Sequence, residues 1–306
     1  MINYRLSNYV GNTPLIPLTL SKYTVWCKCE FMNPGGSVKD RMATYILNDA
    51  EKNKKIKPGD TLCEATSGNT GIAFAMLAAE RGYKIKIIMP SNMSIERKKI
   101  FEFYGADLIE VEDGDFDGAI EMRDQLSIHN GWFNCNQFHN PLNIEAHYKT
   151  TGPEIIKQLP KPIRYLSPIS ENVPVVDALI CGTGTGGTIM GTSKYLKKYL
   201  PNLKVIAIEP EESAVMSGGK PGLHDIQGIG DGSKFLVDLN KIDDIVTVST
   251  ECAKKTARHL AYKYGYFVGV SAGANINASF KWLRDNNKRN AVTFLCDRGE
   301  RYFSCL

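Results

Sequence analysis

The chain has 306 residues, 43% hydrophobic and 23% charged, with a formal net charge of +4. That length holds two ordinary domains, and the composition is that of a globular protein in water. No basic block dominates one region, which argues against nucleic acid, and no stretch reaches the roughly 20 apolar residues that a bilayer span needs.

The opening, MINYRLSNYVGNTPL, lacks the apolar core of a signal peptide, so a cytoplasmic protein is expected. From there short apolar strands alternate with amphipathic helices. Strands are expected at 25–30, 61–64, 84–89, 107–111, 178–181, 205–209, 245–248 and 292–296. Helices are expected at 39–54, 70–81, 95–104, 116–130, 188–198, 250–264 and 274–287. This alternation predicts an α/β fold with mostly parallel sheets covered by helices on both faces. In such sheets ligands sit beyond the carboxyl ends of the strands, so strand-to-helix junctions carry most of the information. The 160–174 stretch, with four prolines, interrupts the pattern and reads as a surface loop. The 8 cysteines contain no CxxC pair, so no metal site is expected; Cys27 and Cys29 alternate on one strand face and read as packing residues.

Four junctions stand out. In Asn33-Pro34-Gly35-Gly36-Ser37-Val38-Lys39-Asp40-Arg41, a turn feeds Ser37, which is placed to cap a helix opening with Val38 and Lys39. Lysine normally sits at the other end of a helix, facing the negative pole of the dipole. Its place here points to a phosphate clamp or to an amine used covalently. The second junction, Glu64-Ala65-Thr66-Ser67-Gly68-Asn69-Thr70-Gly71, combines glycines, hydroxyls and an amide at a helix start, which makes a receptor for carboxylate or phosphate. The third, Gly182-Thr183-Gly184-Thr185-Gly186-Gly187-Thr188, reads as an anion cradle. It also satisfies GxGxxG, with Glu209 22 residues past Gly187, where a ribose-binding acid of an NAD-dependent dehydrogenase would stand. The fourth, Val268-Gly269-Val270-Ser271-Ala272-Gly273, sets a small hydroxyl between glycines that can approach a flat ligand. A covalent amine, a phosphate cradle, a hydroxyl for a ring nitrogen and a carboxylate receptor together describe a site for pyridoxal phosphate.

These residues carry a family resemblance. From GNTPL at 11–15 to DRGERY at 297–302 the chain resembles the cysteine synthases (O-acetylserine sulfhydrylases), fold type II pyridoxal-phosphate enzymes related to cystathionine β-synthase. KPGD, EATSGNTGIA, NMSIERK, AHYKTTGPEI and CDRGERY resemble the B-type isozyme; GTGTGGT and SGGKPGLHDIQGIG resemble the A-type. The resemblance implies that Lys39 bonds the cofactor covalently and that Asn69 meets its 3′ oxygen. It implies that Gly184, Thr185, Gly186, Gly187 and Thr188 hold the phosphate and that Ser271 faces the pyridine nitrogen. Thr66, Ser67, Asn69 and Thr70, with Gln137 of the NQF motif, are expected to grip the substrate carboxylate. It further implies a smaller mobile domain at 40–145, a larger domain from 1–39 plus 146–306, and a homodimer. The reaction implied is β-replacement through an aminoacrylate: Lys39 removes the α-proton, the β-substituent leaves, and sulfide adds to give cysteine.

Two departures matter. The family commonly reads QGIGAG where this chain has Gln227-Gly228-Ile229-Gly230-Asp231-Gly232. A carboxylate there repels hydrosulfide and can act as a base toward water, so Asp231 is a candidate catalytic residue for the reverse use of the site, release of hydrogen sulfide from cysteine with serine as product. The family's His-Lys pair is His224-Asp225 here, which puts docking of serine acetyltransferase in doubt.

Overall fold

The computed structural model describes residues 5–66, 68–160, 176–230 and 233–304. In chain order the main elements are β1 (Leu15–Leu20), β2 (Tyr23–Lys28), α1 (Lys39–Lys52), β3 (Thr61–Ala65), α2 (Asn69–Arg81), β4 (Lys84–Pro90), α3 (Ile95–Phe103), β5 (Asp107–Val111) and α4 (Phe116–Asn130). There follow β6 (Phe133–Asn134), α5 (Leu142–Lys149), α6 (Thr151–Gln158), β7 (Ala178–Gly182), α7 (Gly187–Leu196), β8 (Lys204–Pro210), β9 (Asp244–Val248), α8 (Thr250–Tyr264), α9 (Val270–Asp285) and β10 (Asn290–Phe294). They form two sheets. A six-stranded sheet runs β1-β2-β10-β7-β8-β9, and a four-stranded sheet runs β5-β4-β3-β6. Every pairing is parallel except the β1–β2 hairpin. The α/β architecture with parallel sheets is therefore as expected.

The inner strands show why. β7 and β8 read ALICG and KVIAIEP, and almost every side chain is buried, as a strand covered on both faces requires. Each isoleucine at 206 and 208, fully buried, contributes about 1.5–3 kcal/mol over an exposed one. Helix packing relies on close backbone approach. A Cβ on Gly273 would fall 2.1 Å from the carbonyl oxygen of Ala253, where α9 crosses α8, and one on Gly191 would fall 2.2 Å from that of Ile144, where α7 crosses α5. Cys27 and Cys29 lie in the core beside the six-stranded sheet.

The structure adds elements that periodicity does not announce. β1 is an edge strand, half exposed and carrying Pro17, which weakens its strand signal but is tolerated at an edge. α5 and α6 abut at Thr150, and Pro153 falls in the first turn of α6, where no amide donor is needed. α9 begins at Val270, four residues before the expected 274, because the Ser-Ala-Gly-Ala run continues helically once packed against α8. The expected helix at 39–54 begins at Lys39; Val38 is its N-cap, and the Ser37 hydroxyl accepts the Lys39 amide at 3.2 Å.

A buried ion cluster ties the N-terminal loop, β2, α1 and α6 together. Arg41 donates to Glu30 Oε2 at 2.7 Å and Oε1 at 2.8 Å, and to Glu154 Oε1 and Oε2, both at 2.8 Å. Lys28, fully buried, donates to Glu154 Oε2 at 2.7 Å, Gln158 Oε1 at 2.8 Å and the Thr13 carbonyl at 2.6 Å.

Candidate active site

The loops that follow β2, β3, β7 and β10 converge on one cleft. Lys39, Asn69, Thr70, Gln137, Gly184, Thr185, Gly186, Thr188 and Ser271 all line it. Lys39 and Ser271, 232 positions apart in the chain, thus meet because parallel strands deliver their carboxyl ends to the same edge. Ser67 and Asp231 lie outside the described residues, as does nearly all of the 160–174 stretch. Thr66 is buried and turns its hydroxyl back to accept the Gly68 amide at 3.0 Å, shaping the loop from beneath.

The glycine-rich loop after β7 has the makings of an anion cradle. Gly186 adopts φ +90°, and a Cβ on Gly187 would fall 1.9 Å from Asn143 Oδ1, so neither position admits a side chain as built. The first amides of α7 have no intrahelical acceptor, as at any helix N-terminus. Asn143 Nδ2 donates to Thr185 Oγ1 at 3.0 Å, which leaves the Thr185 hydroxyl proton for a ligand. Thr188 Oγ1 stands 3.2 Å from Nε2 of His147, and His147 Nδ1 stands 2.8 Å from Thr151 Oγ1. Burial, with the nearby charge of Arg41, pushes His147 down to about 3, so the imidazole is neutral. Asn143 and His147 went unnoticed in the sequence; their i, i+4 spacing on one helix face was the available signal.

The turn between β3 and α2 is braced by its neighbours. Gly68 sits at φ +151°, and a Cβ there would fall 2.1 Å from Arg97 Cδ. Thr70 Oγ1 donates to Gln137 Oε1 at 2.6 Å, and Gln137 Nε2 donates to the Ala65 carbonyl at 2.8 Å, retaining one free N–H. Glu64, fully buried, accepts the amides of Ala65 at 2.9 Å and Gln137 at 3.0 Å and pairs with Arg123 at 3.2 Å. Burial, opposed by Arg123 and these amides, raises its carboxyl to about 7.

Ser271, in the first turn of α9, lines the same cleft as Cys296, whose thiol burial pushes up to about 12. Glu209 does not face this cleft as a ribose acceptor: its carboxylate receives the amides of Met216 at 2.7 Å and Ser217 at 2.9 Å and the Ser217 hydroxyl at 2.5 Å. That removes the structural basis of the dehydrogenase reading.

An amine, an anion cradle with hydroxyl and amide donors, and a small neutral hydroxyl on one cleft fit a phosphorylated aldehyde cofactor, and define an α/β enzyme built around one. Residues 6–297 match the family described as pyridoxal-phosphate dependent enzymes, and the chain belongs to that family. A curated cysteine synthase of Staphylococcus aureus is 40% identical over 308 residues, covering 98% of this chain and 95% of that one. Among solved structures, a hydrogen sulfide-producing enzyme from Fusobacterium nucleatum is 36% identical with a TM-score of 0.88, covering 97% of this chain and 99% of its own. An O-acetylserine dependent cystathionine β-synthase from Helicobacter pylori is 33% identical with a TM-score of 0.88, covering 99% and 98%.

Proposed function

We propose that the protein catalyses β-replacement on a serine- or cysteine-type amino acid, forming cysteine from O-acetylserine and sulfide. The observation that carries this reading is the convergence of Lys39, Asn69, Ser271 and the 184–188 cradle on one cleft, in a chain 40% identical to a cysteine synthase. Pyridoxal phosphate, when bound, supplies the electron sink that makes the substrate's α-proton removable.

The chain's own groups do the rest. Gly184 to Thr188 hold the phosphate through the α7 amides and the Thr185 and Thr188 hydroxyls. Lys39 carries the cofactor covalently and, released by the incoming amino acid, takes the α-proton on Nζ. Ser271, a neutral hydroxyl rather than a carboxylate, leaves the ring nitrogen without a proton, which favours loss of the β-substituent over reactions that need a long-lived carbanion. Thr66, Ser67, Asn69 and Thr70, with the free N–H of Gln137, hold the substrate carboxylate. Residues 40–145, built on the four-stranded sheet, close as a smaller domain against 1–39 and 146–306 and exclude water. A cytoplasmic homodimer completes this reading; among the described residues no helix is long and apolar enough to cross a membrane. Serine acetyltransferase is not an expected partner: Asp225 replaces a basic residue and pairs with Lys254 at 2.8 Å.

Purified protein should show a visible absorption band that Lys39→Ala abolishes, and should form cysteine from O-acetylserine and sulfide. A colourless protein, or an unchanged band in Lys39→Ala, would overturn the reading.

A second reading is release of hydrogen sulfide from cysteine with water as the incoming nucleophile, and it draws on the likeness to the Fusobacterium nucleatum enzyme. Gly230 and Ser233, the described residues flanking Asp231 and Gly232 in sequence, line a second cavity that shares Gly228 with the cleft. On this reading Asp231→Asn slows sulfide release from cysteine at least tenfold while synthesis from O-acetylserine persists. An unchanged release rate sinks it.

A further inference from the structure

Asn69 is held from two sides by the segment that follows β10. Its Nδ2 donates to Asp297 Oδ2 at 2.6 Å, and its Oδ1 accepts from Arg301 Nη1 at 2.5 Å. A guanidinium has only donors, so the amide oxygen must face Arg301, and the amide nitrogen must face the Asp297 carboxylate. The usual 180° ambiguity of an asparagine does not arise here.

Both anchors are themselves anchored. Asp297 is fully buried and Arg301 is 3% exposed. Tyr302 Oη donates to the same Asp297 oxygen at 2.6 Å, and the Asp297 carbonyl accepts the Gly269 amide at 3.1 Å. Arg301 Nη2 donates to the Gly35 carbonyl in the turn before Lys39, and the Arg301 carbonyl accepts the Ser94 hydroxyl at 3.3 Å. Space around them is filled: a Cβ on Gly269 would fall 2.1 Å from Asp297 Oδ1, and one on Gly36 would fall 2.7 Å from Arg301 Nη2. The clamp thus joins the turn before Lys39, the N-terminus of α2 and the Ser271 helix at one point.

A primary amide has two N–H bonds, and only one is used by Asp297. The other remains on a residue that lines the cleft with Lys39. We infer that Asp297 and Arg301 are positioning residues that lock the Asn69 amide with its nitrogen, not its oxygen, available to the cofactor's 3′ oxygen. Without the clamp the amide is free to turn over, and an acceptor then faces an acceptor. This inference rests on the proposed contact of Asn69 with the cofactor.

The test uses the holoenzyme and reads cofactor affinity and the visible band rather than turnover. Arg301→Met removes the donor to Oδ1; it should weaken cofactor binding about tenfold, the scale of one hydrogen bond to a charged group, and should shift the band. Arg301→Lys, which keeps a cationic donor, should restore most of the affinity. Asp297→Asn, which replaces the charged acceptor of the Asn69 nitrogen by a neutral amide and so weakens that side of the clamp, should shift the band in the same direction, and serves if Arg301→Met does not fold. The decisive comparison is Arg301→Met in an Asn69→Ala background, where it should change cofactor affinity by less than about twofold. An equal loss in both backgrounds makes the clamp a fold contact only and overturns the inference. Asn69→Ala alone separates the two levels: if it leaves band and affinity unchanged, the Asn69 contact itself is wrong. If it alters them while Arg301→Met and Asp297→Asn do not, only the clamp is wrong.

Discussion

Replacing Arg41 by alanine strands a carboxylate that cannot reach water. Glu30 is fully buried, and Arg41 supplies two of its charge-assisted bonds, at 2.7 Å and 2.8 Å. Burial pushes the Glu30 carboxyl up, but Arg41 first, then Lys28 and Thr13, outweigh it and hold it at about 2. Glu154 keeps Lys28 at 2.7 Å after the substitution, so Glu30 carries the main loss. Removing one partner of a buried pair costs about 3–5 kcal/mol. For a chain of this size that lowers Tm by about 5–8 °C, read by circular dichroism melting at fixed cofactor concentration. The pH dependence has a definite sign. In the wild type the depressed Glu30 contributes stability above its unfolded value of 4.5, lost as pH falls toward about 2. In Arg41→Ala burial dominates and Glu30 is raised instead, so folding favours its protonated form and the variant gains stability as pH falls from 8 toward about 5. The difference between the two proteins should therefore narrow over that interval. Arg41→Leu combined with Glu30→Leu should recover most of the loss, since a buried ion pair adds little over well-packed apolar groups. A Tm change below about 3 °C in Arg41→Ala, or a difference that does not vary with pH, would refute the reasoning.

Two further predictions concern the braces of the site. Glu64 is raised by burial from 4.5 to about 7, so the folded protein holds a proton that the unfolded chain releases. Its contribution is full below about 4.5 and is lost as pH rises through about 7; Glu64→Gln should flatten that part of the stability profile in denaturant titrations at pH 5 and pH 8. Gly273→Ala forces a methyl within 2.1 Å of a backbone oxygen of α8, where neither helix can yield by a side-chain rotation. It should destabilise by about 1–3 kcal/mol in thermal melts.

The chemistry-bearing loops were legible because each is local. Gly184 to Thr188 and Gly68 to Thr70 announce themselves through glycines and hydroxyls beside the start of a helical period, and Lys39 through its position just after a turn. β1 and the helices at 142–158 were not, since an edge strand with a proline and two short abutting helices give weak periodic signals. Their positions follow from packing, α5 against α7 at Gly191 and β1 against β2.

Local pattern by itself determined the strand–helix alternation, the anion-binding junctions and the amine at the head of α1, because period, turn chemistry and helix ends are properties of a few consecutive residues. Only the tertiary structure decided the partners. Asp297 and Arg301 reach Asn69 across more than 220 positions, Arg123 reaches Glu64 across 59, and Glu209 turns from an apparent ribose acceptor into a loop anchor. Lys28, a charged residue that a strand pattern sends to solvent, is instead buried against Glu154 and Gln158. Such pairings depend on which surfaces the folded sheets press together, and charges far apart in the chain have no local signature until they meet.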